Sequence, residues 1–478
     1  MDKLEEFLKF EKENNLFDYT YNGICLWALV RGGVFLRYYT EREYHHPDYS
    51  IKNANPGIQH CWLDRFRLRT NYIKLVLKHI FHRVVAKKKD VFCSNVNIYK
   101  IINGERVDPF MDFFRGTGLT VHYHTRYNHI RSYDIIHPGT NDCIFILKEV
   151  LLNRFYGLLG IERQRIEIPE EIRQFVECLS EKLSVQIDRE YKNQIVQMVR
   201  YFVSRKSFFK KLLKNRCRCV VHGNYANIDH MALISAAREL GIPTVELQHG
   251  VAGKKHLAYN FLDASRENKY LPDYFFTWGD YWTKTVSLPE GTTPISVGFP
   301  QMDVSRNYLK DVRQNEKHVI FYSSQIRALG ILALDVVDEL AELGFTVKYK
   351  LHPNERKFWR IHYPELNTGR IEVLDEPLNV HELLASAKFH IGINSTVLFE
   401  ALAFDAVVLV YDIDDIREVG ALVEMGYAHL FDSKEALLRL IVESDDASKD
   451  KSISEKLFKQ NAVKNIESEL IRIMSVKL

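Results

Sequence analysis

The feature that most constrains the fold is an alternation of short apolar segments with amphipathic helical segments, repeated in two series along the chain. The first series starts at DVFCSN near residue 90, and the second starts at HVIFYSSQ near residue 318. Several of the apolar segments end in histidine, serine or glycine, as expected where a strand meets a loop. Alternation of this kind indicates open parallel sheets with helices on both faces. We therefore predict an α/β protein with two doubly wound, Rossmann-like domains.

The length of the chain requires more than one hydrophobic core, because 478 residues exceed what a single core supports. The polar stretch 304–317 is a candidate linker between the two series, and 66–89 is a candidate basic amphipathic helix. The predicted units are a helical N-terminal extension over 1–85, a first Rossmann-like domain over 86–305, a second over 316–445 and a C-terminal helix over 453–478.

Composition excludes several classes of protein. A net charge of +3 lacks the basic field of a dedicated nucleic-acid binder, so no nucleic-acid partner is expected. Seven cysteines without a paired zinc-type spacing fit a reduced compartment better than a disulfide scaffold. No apolar run reaches the ~18 residues of a membrane span, and the charged N-terminus lacks a signal-peptide core. We expect a cytoplasmic protein.

The second series carries polar residues directly after three of its strands. His352 and Pro353 follow TVKYKL, Ser323 and Ser324 follow VIFY, and Asn394 follows FHIGI. Ligands of open parallel sheets bind at the carboxyl ends of the strands, where such residues converge. Pro353 restricts His352 to an extended conformation and so fixes its direction. An alternative for His352 is a structural histidine at the end of a strand.

The segment INSTVLFEAL predicts a helix that starts just after a strand. Ser395 or Thr396 would cap this helix, and exposed backbone N–H groups at such a start can hold a phosphate. The alternative is an ordinary N-cap with no ligand. Glu400 lies one turn further on and could reach a ribose hydroxyl, or it could simply solvate the helix.

The first series has its own polar strand exits. His222 follows RCVV, and Gln248, His249 and Gly250 follow TVEL, so these residues should share one sheet edge. Asp229 lies at the start of the next predicted helix, where it could also complement the helix dipole. An acceptor hydroxyl needs a base, and His249 or Asp229 is the leading candidate, with His222 and Gln248 as positioning or phosphate-side groups.

These motifs resemble a known family. HP followed by S-[ST] at a helix start, in the second of two doubly wound domains, resembles bacterial glycosyltransferases of the GT-B fold. The likeness is to enzymes of capsule and surface polysaccharide synthesis, namely CMP-sugar-dependent sialyltransferases and Kdo transferases, and related CDP-glycerol transferases. NGICLWALVR, INGERVDPFMD, ELQHGV and PDYFFTWGDYW are similar to further pieces of such transferases.

The resemblance implies how the two domains share the reaction. The second domain would hold the nucleotide, with His352, Ser395 and Thr396 at its phosphate, and the first domain would hold the acceptor across a cleft. No metal and no cofactor are implied, because the nucleotide-sugar is itself the substrate. A D/E-D/E-G motif that supplies the base in several sialyltransferases has no clear counterpart, since VLDEP has proline in place of glycine.

The expected partners are a CMP-linked sugar, with Kdo or a sialic-acid-like sugar as the favoured donor, and a surface polysaccharide or lipid-linked glycan as acceptor. UDP- or GDP-sugar transfer, CDP-glycerol transfer and a non-catalytic nucleotide-sugar-binding protein are the alternatives. A UDP-sugar 2-epimerase shares the architecture, but its Gly-rich and acidic cleft motifs are not found. The basic stretch RKSFFKKLLKNRCR, 205–218, suggests contact with anionic lipid at the inner face of the plasma membrane, or else a helix packed on the first domain.

Overall fold

The computed structural model of the protein describes most of the chain outside the 40–87 and 125–167 regions. The described residues are 3–39, 88–94, 100–102, 105–108, 110–124, 143–144, 168–263, 268–353, 355–356, 358–376, 378–413, 417–443 and 452–476. The basic helix that we predict over 66–89 lies almost wholly outside this part of the chain. Within it, no helix is long and apolar enough to cross a membrane.

The N-terminal extension is a pair of helices joined by a small hairpin. Helix α1 (Lys3–Glu13) and helix α2 (Leu26–Tyr38) flank the antiparallel strands β1 (Thr20–Tyr21) and β2 (Ile24–Cys25). Phe7 packs on Trp27 with ring centroids 5.6 Å apart, and both side chains are fully buried. The helical extension is therefore present over the residues described.

The first domain contains a parallel sheet of seven strands. They are β3 (Val91–Ser94), β6 (Val121–His124), β7 (Cys143–Ile144), β8 (Cys219–His222), β9 (Thr244–Leu247), β10 (Tyr274–Thr277) and β11 (Thr293–Ser296), and a separate hairpin has β4 (Lys100–Ile102) and β5 (Glu105–Val107). The strand order in the sheet is β11-β10-β9-β8-β3-β6-β7. The order reverses between β3 and β8, which makes the carboxyl ends of these two strands the expected ligand position.

Five helices of the first domain are described. They are α3 (Glu170–Lys182), α4 (Arg189–Leu213), α5 (Ile228–Glu239), α6 (Asp280–Thr285) and α7 (Pro300–Leu309). A break separates α3 from α4. Ser184 takes a left-handed φ of 53°, and the Asp188 side chain accepts the Tyr191 N–H at 2.7 Å to start a new helix. Strands β8 and β9 are buried on both faces, as a helix-covered parallel sheet requires.

The second domain contains a parallel sheet of six strands. They are β12 (Asn315–Tyr322), β13 (Thr346–Lys350), β14 (Glu372–Leu374), β15 (Ala387–Gly392), β16 (Val407–Tyr411) and β17 (His429–Phe431). The helices are α8 (Arg327–Glu342), α9 (Trp359–His362), α10 (Val380–Ser386), α11 (Thr396–Ala401), α12 (Gly420–Glu424) and α13 (Lys434–Glu443). The strand order in the sheet is β14-β13-β12-β15-β16-β17, and it reverses between β12 and β15, so the two-domain, doubly wound prediction is confirmed.

The junction between the domains is more ordered than a linker. The stretch 304–317 that we predict as a linker includes the second half of α7 and the start of β12. Helix α7 begins with Pro300 at a first-turn position and buries Met302 and Ser305, while Tyr308 is exposed. The polar composition of the stretch therefore reflects a helix with one solvated face.

The C-terminal segment returns to the first domain. Instead of the one helix predicted over 453–478, the structure has α14 (Ser452–Leu457) and α15 (Ala462–Ser475), with Asn461 at a left-handed φ of 61° between them. Gly298 (φ 106°) faces this turn, and a β-carbon there would lie 2.3 Å from the carbonyl oxygen of Lys459. Only glycine permits this approach.

Apolar side chains from both domains pack in one cluster. Trp282 of the first domain contacts Phe399 of the second, with ring centroids 4.9 Å apart. The Oε1 atom of Glu467 in α15 also accepts the N–H of Gly118 at 2.7 Å. The two sheets are thus joined both by direct packing and by the returning C-terminal helix.

Candidate functional site

Three adjacent strands of the second sheet end in loops that are tied together by hydrogen bonds. The Ser324 hydroxyl, after β12, accepts the backbone N–H of Asn394, after β15, at 3.3 Å. The Ser323 N–H, also after β12, donates to the carbonyl of Lys350 at the end of β13 at 2.9 Å. The structure therefore brings the predicted Ser323, Ser324 and His352 segments to one edge of the sheet.

Glu355 organises the turn that contains His352 and Pro353. One carboxylate oxygen of this buried side chain accepts the His352 N–H at 2.8 Å. The other accepts the Ser323 hydroxyl at 2.9 Å and the Tyr363 hydroxyl at 2.5 Å. The sequence analysis assigns Glu355 no role, although an acid three residues after the histidine is a signal that a carboxylate could cap the turn.

Basic side chains gather where β13 ends. Lys350 is buried and donates to the Leu351 carbonyl at 2.9 Å, and burial lowers its pKa to about 8. Arg356 follows Glu355, and its buried Nε atom has no hydrogen-bond partner among the described residues. Burial also lowers the pKa of the half-buried His352, so its imidazole is neutral at pH 7. The arrangement suits an anion, which would satisfy the Arg356 donor and compensate the cationic charge.

Ser395 and Thr396 start the short helix α11 at the same edge. The Ser395 hydroxyl accepts the Val397 N–H at 3.4 Å, so this serine is the N-cap. Both side chains remain partly exposed. The capping role and a contact with a ligand are compatible, because a hydroxyl accepts one hydrogen bond and can still donate another.

The structure places Glu400 away from the predicted ribose contact. Its carboxylate is buried, and Oε2 lies 2.6 Å from Nε2 of His381. The other ring nitrogen of His381 lies 2.6 Å from the Ser305 hydroxyl in α7. Glu400 therefore belongs to a buried polar chain that links α11 with the helix between the domains, and it neither solvates α11 nor faces a ligand.

Histidines and a serine converge at the carboxyl edge of the first sheet. The strand register aligns Ser94 with His124 on one side and with His222 on the other. The Ser94 hydroxyl lies 3.1 Å from Nδ1 of His124 and 3.0 Å from Nε2 of His230. The sequence analysis omits Ser94, His124 and His230. Two of them, Ser94 and His124, end their strands, so the strand-exit rule applied to VFCS and VHYH finds them.

His222 and His249 are the two predicted histidines of this edge. His222 is fully buried, its ring lies 5.2 Å from that of His230, and neither of its nitrogens has a hydrogen-bond partner among the described residues. Burial lowers the pKa of His222 well below its usual value and that of His249 to about 4. His249 is half-buried and lies in edge contact with Phe110. At pH 7 both are neutral, and His249 is the one that a substrate can reach.

Asp229 points away from this edge. Its carboxylate accepts Nε of the fully buried Arg205 at 2.5 Å and the Tyr201 hydroxyl at 2.9 Å, both from α4. A carboxylate paired with a buried guanidinium is a poor proton acceptor, because protonation would leave that guanidinium unpaired. We therefore correct the predicted base role of Asp229 to that of a structural ion pair.

Gln248 shapes the loop after β9, and its side chain is buried and not presented to substrate. Its Oε1 accepts the Trp278 N–H at 2.8 Å, and its Nε2 donates to the Gly250 carbonyl at 2.9 Å. We therefore correct the predicted contact of Gln248 with substrate. This side chain instead connects the loop after β9 to the end of β10. A β-carbon on Gly250 would meet no described atom within 4 Å, so the space above this glycine is open.

A residue of the second domain touches the loop that carries His249. The buried Glu418 lies so close to Gly253 that a β-carbon on this glycine would be 2.0 Å from Oε2. Buried Glu246, one strand residue from the loop, accepts the Tyr259 hydroxyl at 2.7 Å, and burial raises its pKa to about 8. The loop after β9 is thus held from both domains.

The basic stretch 205–218 belongs largely to the core of the first domain. Phe209, Leu212 and Leu213 are buried, and Lys206 and Lys210 pair with Glu239. This packing accounts for the apolar residues of the stretch, as the helix-packing alternative predicts. Across the described part of the chain, no group of three His, Cys, Asp or Glu side chains is arranged to hold a metal ion.

Comparison with known proteins gives structural neighbours only. No protein-family model matches the chain, and no curated protein matches it. A UDP-GlcNAc 2-epimerase from Neisseria meningitidis bound to UDP-GlcNAc is 16% identical and aligns over 80% of this chain and 99% of its own, with a TM-score of 0.47. Arabidopsis thaliana UGT89C1 is 11% identical over 81% of this chain and 100% of its own, with a TM-score of 0.48. A UGT transferase from Siraitia grosvenorii in complex with UDP is 10% identical over 81% of this chain and 100% of its own, with a TM-score of 0.43.

Proposed function

We propose that the chain is a metal-independent glycosyltransferase that takes a sugar from a nucleotide donor held by the second domain. The observation that carries this proposal is the set of linked strand exits at Ser323, Ser324 and His352, with Lys350 and Arg356 beside them. Neutral and cationic donors that converge at a topological switch point suit the phosphate of a nucleotide. Ser395 and Thr396 add hydroxyls at the same edge.

The acceptor would bind at the carboxyl edge of the first sheet. His249 is half-buried there, so an acceptor hydroxyl can reach its ring and give up a proton to it. As that oxygen bonds to the anomeric carbon, the bond from this carbon to the nucleotide phosphate oxygen breaks. The basic groups beside His352 then stabilise the charge on the leaving phosphate. His222 would pack behind His249 as a neutral ring and so help to position it.

The donor and acceptor are proposed from the HP and S-T motifs. We favour a CMP-linked Kdo or sialic-acid-like sugar and a surface polysaccharide or lipid-linked glycan, with UDP- or GDP-sugar transfer and CDP-glycerol transfer as rivals. A non-catalytic nucleotide-sugar-binding protein is the rival outside catalysis. The protein would act in the cytoplasm, and contact with the inner membrane face is testable by sedimentation with anionic liposomes, where absence of binding at low salt refutes it.

Nucleotide binding is tested by thermal shift with CMP, CDP, UDP and GDP. A nucleotide at 100 times its Kd stabilises the folded state by about 2.7 kcal/mol, which raises the Tm. We expect CMP to stabilise the protein and His352→Ala to reduce this shift. The matched control is His318→Ala, which removes a half-buried imidazole from the opposite half of the neighbouring strand β12.

The outcomes separate the rivals. Stabilisation by UDP without CMP would overturn the CMP donor and favour a UDP-sugar enzyme. Equal nucleotide affinity in His352→Ala and His318→Ala would remove the phosphate role of His352. Binding of a nucleotide-sugar without any release of nucleotide, in the presence of glycan acceptors, would favour the non-catalytic rival.

A further inference from the structure

A cavity of about 180 Å³ lies between the N-terminal extension and the first domain, outside the edge that carries His249. Its walls come from the end of α1 and the turn after it, from the end of the long loop after β9, and from the segments that lead into β10 and β11. None of the described residues that line the cavity belongs to the proposed reaction centre.

The lining combines aromatic rings with donors and acceptors. Phe17 and Phe261 supply the apolar wall, with ring centroids 6.3 Å apart. Lys12, Asn15 and Asp263 also line it, so residues that carry ammonium, amide and carboxylate groups border one small space. A pyranose ring has this complementarity, because its C–H face packs on aromatic carbon while its hydroxyls both donate and accept.

The size and charge of the cavity disfavour other ligands. Pockets that enclose drug-sized ligands measure roughly 300–1,000 Å³, so this one suits a single ring and not a nucleotide. Arg31 pairs with Glu11, and Asp263 offsets the charge of Lys12, which makes the site a poor one for a phosphate. A lipid chain would leave the polar wall desolvated.

The wall is rigid because a buried ion pair braces it. Arg31 donates to Glu11 at 2.5 Å and stacks over Phe261, its guanidinium carbon 4.2 Å from the ring centroid. The same guanidinium donates to the carbonyls of Leu257 and Asn260, at 2.8 and 2.9 Å, in the loop that starts at His249. A preformed wall of this kind lowers the entropy cost of binding.

We propose that this cavity is a second carbohydrate site that binds one pyranose unit of a glycan. This proposal rests on the proposed function, because the glycan would be an extended acceptor whose growing end lies at His249. The site would anchor a long acceptor while leaving transfer to a short acceptor unchanged. Binding of the glycan and the geometry of the loop after β9 would then be linked through Arg31.

The test uses the full chain and methyl pyranosides as probes, namely the gluco, galacto, N-acetylglucosamino and N-acetylmannosamino forms. Ligand-detected NMR measures saturation transfer to each glycoside, and titration gives its Kd. Lys12→Ala combined with Asn15→Gly deletes two exposed polar groups, and glycine suits the left-handed φ of 48° at position 15. Leu262→Trp, at a 44% exposed lining position, fills the cavity instead. Glu13→Ala, exposed on the same helix and outside the lining, is the control.

We expect at least one glycoside to bind the wild type and the Glu13→Ala variant alike, with Kd about tenfold higher in the double variant and no detectable binding in Leu262→Trp. Nucleotide-induced thermal shifts should be unchanged in all of them. Binding that survives both lining variants, or no binding by any of the four glycosides, would overturn the proposal. Glycoside binding without nucleotide binding would support the cavity site while refuting the transferase.

Discussion

Replacement of Gly253 by alanine tests whether the second domain holds the loop that carries His249. The added methyl group would stand 2.0 Å from Oε2 of Glu418 and 2.8 Å from its Cδ, whereas ordinary contact begins at 3.4 Å. The Glu418 carboxylate must therefore retreat by about 1.4 Å, the difference between 3.4 and 2.0 Å. Glu418 is buried, so the side chain cannot move simply into solvent.

Overpacking of this kind costs about 1–3 kcal/mol, and we place Gly253→Ala at the lower end because a carboxylate is the flexible end of its side chain. Calorimetry should show a Tm lower by a few degrees. Displacement of the loop by about 1 Å should also reduce kcat, by up to about 100-fold, with little change in nucleotide affinity. Gly250→Ala is the matched control for stability, since no described atom lies within 4 Å of its added methyl group. Glu418→Ala in the Gly253→Ala background should restore much of the lost stability. Equal Tm in the two glycine variants would refute the reasoning.

Three further predictions address individual side chains. Glu355→Gln should raise the Kd for nucleotide about tenfold, because an amide cannot accept all three hydrogen bonds that the carboxylate accepts, and titration calorimetry against the neighbouring surface variant Glu365→Gln measures this. The pKa of Lys350 falls to about 8 on folding from the ordinary 10.5, so the unfolded chain holds the extra proton between these values. The free energy of unfolding should accordingly rise with pH over this window, by up to about 3 kcal/mol more in the wild type than in Lys350→Met. Urea denaturation at a series of pH values measures this difference, and the same pH dependence in both proteins would contradict the assignment. Asp229→Asn should lower stability by about 3–5 kcal/mol by stranding Arg205, while the pH profile of kcat of the folded fraction stays unchanged; loss of the acidic limb of that profile, where a general base becomes protonated, would restore Asp229 as the base.

The sequence predicts the architecture well because strand–helix alternation is a local pattern. The segments around β8, β9, β12, β13 and β15 are each recognisable from apolar runs that end in polar residues, and parallel pairing then brings those ends together. The interruptions are harder to predict. The division between α3 and α4 depends on a left-handed Ser184, and that between α14 and α15 depends on a left-handed Asn461, a conformation that residue type alone does not require.

The sequence predicts those residues of the candidate site that follow directly after a strand. Ser323, Ser324, His352 and His249 lie at the expected edges, whereas the directions of Asp229 and Glu400 depend on partners distant in sequence. Arg205 precedes Asp229 by 24 residues, and His381 precedes Glu400 by 19. Asp229 and Glu400 both lie on helices. The spacing of residues along a helix does not by itself distinguish its buried face from a face directed at a ligand. Glu355 was missed for a similar reason, since Ser323 and Tyr363 reach it through tertiary contacts and His352 through a tight turn.

The central claim is transfer from a nucleotide-sugar, and the most direct test is release of nucleotide measured by mass spectrometry. The purified full chain is incubated with CMP-sialic acid, CMP-Kdo, UDP-GlcNAc or CDP-glycerol, with and without a polysaccharide acceptor and without added metal. We predict release of CMP that the acceptor accelerates, and that His249→Ala slows by at least about 100-fold while the CMP-induced thermal shift is retained. No release of nucleotide from any donor, or conversion of UDP-GlcNAc to its 2-epimer without glycan extension, would contradict the account.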